Sequence, residues 1–506
     1  MIVILDFGSQ YNLLIARRIR ELGVFSEVHP YDLPASEIRR RGASAVILSG
    51  GPGSVTETPI HPDPAVFDLG VPILGICYGM QVMAHLLGGR VESRSTREYG
   101  KHALRFRPDA LLFRGCEDPF QAWMSHGDSV AELPEGFRVT ASTEDLPVAA
   151  MEDGTRRLFG VQFHPEVTHT QQGRRLLETF VRAIAGLEGD WSLGDFIEEA
   201  VEGIRRKVGG GAALCAVSGG VDSTVTAVLA HRALRDRLHP VFVDNGLLRK
   251  GEADEVPLRL AEAGLSLRRV DARARFLVPL RGVADPESKR RIVGETFIRV
   301  FEEEARRIPD LTHLIQGTLY PDVIESMSVK GPSATIKSHH NVGGLPDRMD
   351  LALVEPLREL FKDEVREVGR LLGVSRDLLG RHPFPGPGLA VRILGEVTPA
   401  DVETLQGADA IFIEELRRSG TYDDVWQAFA VLLPVRTVGV MGDERTYGRV
   451  VALRAVASVD GMTADWIDLP RAVLERTASR IVNEIGEVNR VVYDVTTKPP
   501  GTIEWE

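Results

Sequence analysis

A chain of 506 residues exceeds one ordinary domain and is long enough for two or three, each with its own core. Its 43% apolar and 26% charged residues are the balance of a soluble globular protein, and a formal net charge of −12 argues against non-specific binding to nucleic acid or to an acidic membrane surface. Three cysteines, Cys77, Cys116 and Cys215, do not make a disulfide framework and point to a reducing cytoplasm.

The opening "MIVILDFGSQ" reads as a core strand rather than a signal peptide, and no apolar run reaches membrane-spanning length. Up to about residue 185, short apolar runs ending in glycine ("MIVILDFG", "SAVILSGGPGSV", "VPILGICYGM") alternate with helical patterns such as "QYNLLIARRIREL". That alternation predicts crossover units on a mainly parallel sheet. "AGLEGDWSLGD" breaks the pattern, and the helix "DFIEEAVEGIRRKV" leads to a second α/β unit, with "AALCAVS" and "HPVFVDNG" as its first strands. "SMSVKGPSATIKSHHNVGGLP" has no periodicity and is long for a loop. Its adjacent histidines rarely converge on one ion, so no metal site is assigned there. In "RHPFPGPGLAVRILG", Pro383, Pro385 and Pro387 exclude a helix, so a boundary is placed at 380/381. The remainder, 381–506, mixes helices with β-rich runs such as "VRTVGVMGD" and "NRVVYDVTT". There is no internal repeat.

Two glycine-bearing turns carry chemistry. In "GICYGMQ", Gly75, Cys77 and Gly79 have the form of a nucleophile elbow with Cys in place of Ser, where a helix N-terminus favours thiolate. Cys116 and Cys215 lack such a setting and read as buried and inert. The base for Cys77 is His164 of "VQFHPE"; on an extended segment Glu166, two residues on, points the same way and orients the imidazole. The second turn, "SGGVDS" at 218–223, looks like a phosphate loop without the lysine of the common P-loop. A helix N-terminus attracts phosphate by itself. Gly219 and Gly220 allow close backbone approach, and Ser218 and Ser223 offer hydroxyls. Asp222 would repel a bare phosphate, so it either binds Mg²⁺ or caps the helix.

"SGGPGS", "GICYGMQ" and "VQFHPE" together resemble the class I glutamine amidotransferase domain, and "SGGVDS" resembles the PP-loop of ATP pyrophosphatases. Their order, with "QGTLYPDVIES", "KSHHNVGGLP", "EPLRELFKDEVR", "RHPFPGPGL" and "KPPGTIEWE", resembles the glutamine-hydrolysing GMP synthetase family over essentially the whole chain. The resemblance implies an α/β amidotransferase domain at 1–185, a Rossmann-like PP-loop domain of the adenine nucleotide alpha hydrolase type at 190–380, and a C-terminal α+β dimerisation domain at 381–506. It implies glutamine, ATP with Mg²⁺, and XMP as substrates. Ammonia made at Cys77 displaces AMP from adenylylated XMP to give GMP, with pyrophosphate and glutamate released. It assigns Gly51 and the Tyr78 N–H to an oxyanion hole, and Gln81 with Ser125, His126 and Gly127 of a "SHGD" loop to glutamine. ATP falls to Ser218, Gly219, Gly220, Val221, Asp222 and Ser223, to Val243 through its backbone, and to Gln316, Gly317 and Lys362. XMP falls to Arg290 (with Arg291 nearly as good), Lys337, Asp443, Lys498 and Glu504. At the terminus, the rigid Pro499–Pro500–Gly501 turn carries a cation, Lys498, before it and an anion, Glu504, after it, which suits a ligand with both a phosphate and N–H donors. A homodimer, with no nucleic acid or membrane partner, completes the expectation. The rivals are another PP-loop amidotransferase, one that makes an asparagine or NAD amide or modifies tRNA, and a non-catalytic nucleotide-binding regulator. The acidic charge weighs against tRNA, and the intact Cys77, His164, Glu166 and PP-loop weigh against the regulator.

Overall fold

The structure, a computed structural model, describes the chain apart from residues 10, 56–59, 190, 321, 324–350, 442–443 and 459–462. The described chain forms two compact units, Met1–Asp195 and Phe196–Glu506.

In the first unit, strands β1 (Ile2–Asp6), β2 (Ser26–Pro30), β3 (Ala45–Leu48), β4 (Ile73–Ile76) and β9 (Leu158–Val161) run parallel in the order β2-β1-β3-β4-β9. Being covered on both faces, the inner strands β1, β3, β4 and β9 are largely apolar runs, and Ala45, Val46, Ile47 and Leu48 are all fully buried; the edge strand β2 alternates instead. Helices α1 (Asn12–Arg20) and α2 (Ala35–Arg40) make crossovers, and α3 (Tyr78–Leu86) leads from β4 toward the antiparallel half of the sheet. The sheet is less parallel than the pattern predicts. It continues through β8 (Ala150–Asp153), β7 (Arg138–Ser142), β5 (Arg90–Phe106) and β6 (Phe120–Glu132), all joined antiparallel. Helix α4 (Gly173–Glu178) closes the unit.

The second unit opens within α5 (Leu193–Val208) and continues into a five-stranded parallel sheet ordered β12-β11-β10-β13-β14. The strands are β10 (Ala212–Ala216), β11 (Leu238–Asp244), β12 (Arg268–Asp271), β13 (Leu311–Ile315) and β14 (Ala352–Val354). Chain order reverses at β10, so a crevice opens at its C-terminal end, where such sheets bind ligands. Around the sheet lie α6 (Val221–Leu234), α7 (Glu252–Glu262), α8 (Arg273–Leu277), α9 (Pro286–Ala305), α10 (Lys362–Leu371) and α11 (Arg376–Leu379). No α-helix forms across the proline run, which holds only a 3₁₀ turn at Gly388–Val391. After it, α12 (Pro399–Ser419) and α13 (Arg471–Glu484) pack on a second sheet of β15 (Gln427–Met441), β16 (Glu444–Ala457), β17 (Asp465–Trp466) and β18 (Val488–Tyr493). One apolar cluster runs from Leu214 and Val241 of the first sheet to Leu432 and Val451 of the second, so the two sheets share a core.

Candidate active sites

Cys77 stands between β4 and α3 with φ 52°, a left-handed conformation that costs a non-glycine residue about 1–3 kcal/mol. The turn is tight because α3 starts against the neighbouring strand. A Cβ on Gly79 would approach the Leu48 carbonyl oxygen to 2.2 Å, and one on Gly75 would come within 2.6 Å of the Gly79 carbonyl oxygen. The first N–H groups of a helix lack intrahelical partners. Here the Gly79 N–H donates to the Ser49 carbonyl and those of Met80 and Gln81 to the Cys77 carbonyl. The Tyr78 N–H takes no partner among the described residues, while its side chain turns into the core and exchanges hydrogen bonds with Ile60.

Strand β9 pairs with β4, Ile76 opposite Val161, and so delivers the turn after it to the cysteine. His164 and Glu166 sit in that turn, not on an extended strand as their spacing implied; the prolyl residue between them bends the chain. They meet nonetheless: His164 Nδ1 is 2.7 Å from Glu166 Oε1. Burial alone would push the imidazole's pKa down, but the Glu166 carboxylate and a hydrogen bond with Cys77 hold it well above its usual value. Tyr11 packs edge-on against the His164 ring, and a Cβ on Gly50 would stand 3.2 Å from its Cε1. Gly51 lies beside Gly50 at the end of β3, close over the Phe7 carbonyl.

The "SHGD" residues form part of strand β6 rather than a loop, because buried Ala122, Met124 and His126 continue an alternation through them. The Ser125 carbonyl oxygen is 3.6 Å from Cys77 Sγ, Gly127 follows on the same strand, and His126 Nδ1 is 3.0 Å from the Asp128 carbonyl. The side-chain amide of Gln81 donates to the Asp128 carbonyl and to Gln162, a residue within "VQFHPE" that motif reading passes over. Of the other two thiols, Cys215 is fully buried as expected and its pKa is pushed up to about 12, whereas Cys116 is only half-buried, its pKa raised by that partial burial.

In the second unit, the β10–α6 turn folds on itself through its hydroxyls. The Ser218 N–H donates to Ser223 Oγ, the Gly220 N–H to Ser218 Oγ, and the two hydroxyls are 3.0 Å apart. Gly219 has φ +80°, and Val221 begins the helix. Asp222 is half-buried with one carboxylate oxygen, Oδ1, unpartnered among the described residues, and Lys362, first residue of α10, brings Nζ to 3.7 Å from the other. Desolvation raises the Asp222 pKa against the opposing pull of Lys362, and Asp322 adds to the rise. Val243 is buried near the end of β11, opposite Val270. The Gln316 N–H binds the Val354 carbonyl, and Gly317 lies so close to α6 that a Cβ would be 2.8 Å from Thr226 Oγ1. Sequence reading missed Arg381, which donates to the Gly219 carbonyl and is held by Glu252. It lies 162 residues from the turn, inside the run taken as a boundary.

The expected XMP residues fare unevenly. Lys337 and Asp443 lie outside the described residues. Arg290 is half-buried on α9 and donates to the main-chain oxygen of Glu506, whereas Arg291 is exposed. The Lys498 backbone pairs with Ala464. Glu504 does not present a free carboxylate: Arg392 grips both oxygens at 2.8 and 3.0 Å, and Gln427 donates to one of them. Arg392, Arg454 and Lys289, all fully buried, fasten the segment through Glu504, the Thr502 and Ile503 carbonyls and Glu506.

A profile of the class-I glutamine amidotransferase family matches residues 3–184, and one of the GMP synthase C terminal domain matches 414–505. The chain is 57% identical over 506 residues to GMP synthase [glutamine-hydrolyzing] of Aquifex aeolicus, covering 100% of this chain and 99% of that protein. It is 58% identical over 513 residues to the Chlorobaculum tepidum protein of the same name, with the same coverages. The chain belongs to the glutamine-hydrolysing GMP synthase family. Family membership accounts for two such unlike turns on one chain.

Proposed function

We propose that the chain makes GMP from XMP, ATP and glutamine. The observation that carries this reading is that one chain holds both the contact of Cys77, His164 and Glu166 in its first unit and a lysine-free phosphate turn at a sheet crevice in its second. The Cys77 thiolate attacks the glutamine side-chain carbonyl, and the oxyanion forms against the N–H groups of Gly51 and Tyr78. His164, oriented by Glu166, protonates the departing ammonia and then draws a proton from the water that frees glutamate. Gln81 and residues 125–127 frame the glutamine.

At the second site the "SGGVDS" turn and Lys362 hold the ATP phosphates, Val243, Gln316 and Gly317 border the nucleotide, and the XMP 2-oxygen attacks the α-phosphate. Pyrophosphate leaves; ammonia then adds at C2, loses a proton and expels AMP. The Oδ1 of Asp222, unpartnered among the described residues, suits Mg²⁺, which when bound neutralises charge on the leaving pyrophosphate. Arg290, Lys337, Asp443 and Lys498 are the XMP residues, with Glu504 shaping the loop rather than touching the ligand.

The exposed Val438, Val440 and Tyr447 on the β15–β16 ribbon suit a homodimer contact. No described helix is long and apolar enough to cross a membrane, and three free cysteines fit a cytoplasmic setting. Incubation with ATP, Mg²⁺, glutamine and XMP should yield GMP and pyrophosphate. Pyrophosphate formed only with a different carbonyl substrate would redirect the reading to another amidation.

A further inference from the structure

Gln162 is completely buried beside the nucleophile, and its orientation is set from outside inward. The Asp128 carbonyl can only accept, so the Gln81 amide nitrogen faces it at 2.8 Å. The same nitrogen lies 3.3 Å from Gln162 Oε1, which therefore accepts. That leaves Gln162 Nε2 as the atom facing Cys77 Sγ, at 3.7 Å. The Gln162 main chain is held independently, its N–H on the Ala149 carbonyl.

A buried amide needs partners, and packing alone would be satisfied by a carbonyl. This one spends an N–H on sulfur. A neutral thiol is a weak acceptor; a thiolate is a strong one, and a hydrogen bond to the charged form stabilises that form. We propose that Gln162 is a catalytic residue of the glutaminase site, donating to the Cys77 thiolate, and that Gln81 is its positioning residue. The inference rests on Cys77 being the nucleophile. Other groups also bear on the thiol: His164 with Glu166 behind it, and on β6 the Ser125 carbonyl with His126 and Asp128. Helix α3 brings no acidic residue in its first turn. Gln162 is the neutral side-chain donor among them.

The test is the pH dependence of Cys77 alkylation by iodoacetamide in the full-length protein, alongside glutaminase kinetics. Gln162→Met keeps the bulk and removes the donor. The apparent thiol pKa should rise by about one unit and glutaminase kcat/KM should fall about tenfold, since a charged hydrogen bond is lost. Gln81→Met leaves the donor but frees it to turn, so its shift should have the same sign and be smaller; it carries the test if Gln162→Met fails to fold. An alkylation profile unchanged in a folded variant overturns the inference. If alkylating Cys77 in the unmodified protein leaves glutaminase activity intact, the nucleophile assignment itself fails. Inactivation with unchanged variant profiles would remove Gln162 alone.

Discussion

Cys77 and Ser218 occupy the same kind of corner, where a buried parallel strand turns into a helix, yet the corners are built to opposite ends. At the first, the strained left-handed residue is the reagent itself, 5% exposed and ringed by His164, Gln162 and the Ser125 carbonyl. At the second, the left-handed residue is Gly219, and Ser218 and Gly220 are exposed. Covalent catalysis needs one atom held in one place, so strain and burial fall on that atom. A cradle for a polyanion needs N–H groups, hydroxyls and cations left open to a ligand.

If the corners differ in this way, breaking each should leave the other working. Cys77→Ala should lower glutamine-dependent GMP synthesis roughly a thousandfold or more, because a nucleophile and its base act as one unit. Synthesis from added ammonium should persist. Loss of both activities in a folded variant would contradict separable sites.

Asp222→Asn strikes the open corner. With the charge gone from a carboxylate whose Oδ1 has no partner among the described residues, pyrophosphate release should fall about a hundredfold, a typical cost for losing one preorganised electrostatic contact. The Cys77 alkylation rate should hold. Pyrophosphate release at the unmodified rate, measured over a range of Mg²⁺ concentrations, would take the metal away from Asp222.

Both corners were legible because each is spelled by neighbours in sequence: Gly75, Cys77 and Gly79 in one, 218–223 in the other. The parallel strands were legible too, since burial on both faces leaves unbroken apolar runs such as "AVIL" at Ala45–Leu48. What escaped were contacts closed by folding over long separations. Gln162 reaches Cys77 across 85 residues, Arg381 reaches Gly219 across 162, and Arg392 reaches Glu504 across 112. Nothing local distinguishes these side chains from other buried or surface ones. The "SHGD" stretch was misread as a loop because its glycine and polar residues outweigh, to the eye, the alternation of Ala122, Met124 and His126.

Lys498→Ala asks whether the fastened C-terminal segment is a ligand wall or a prop. With Glu504 engaged by Arg392 and Gln427, Lys498 is the charge on this segment assigned to the XMP phosphate. Losing a charged hydrogen bond worth about 1.5–3 kcal/mol should raise the XMP concentration needed for half-maximal GMP formation roughly 10- to 150-fold. The ATP requirement and glutaminase activity should change far less. An unmoved XMP dependence would leave the segment a structural role only.

The smallest effect concerns two histidines shifted in opposite directions. His164 is held up by Glu166 and Cys77, whereas His382, beside Arg381, is pushed down to about 4, chiefly by burial. Its hydrogen bonds require the neutral ring: the Ala428 N–H donates to Nδ1, so Nε2–H donates to the Tyr422 carbonyl, and the ring stacks on Tyr422 at 3.9 Å. Between its usual pKa of about 6.5 and 4, the unfolded chain binds a proton that the folded one refuses, so stability falls as pH falls through that window. From pH 6.5, where the unfolded imidazole is already half protonated, to pH 5 the cost is about 1.6 kcal/mol, at 1.36 kcal/mol per full unit. His164, with its raised pKa, contributes in the other sense, adding stability at low pH that is lost as pH rises through its folded value. Hydrogen exchange over residues 427–433, compared at pH 6.5 and 5 after correction for intrinsic rates, should show protection dropping roughly fifteenfold in the native chain and much less in His382→Gln. Equal drops in both proteins would mean that the acid sensitivity near Arg381 and the phosphate turn arises elsewhere.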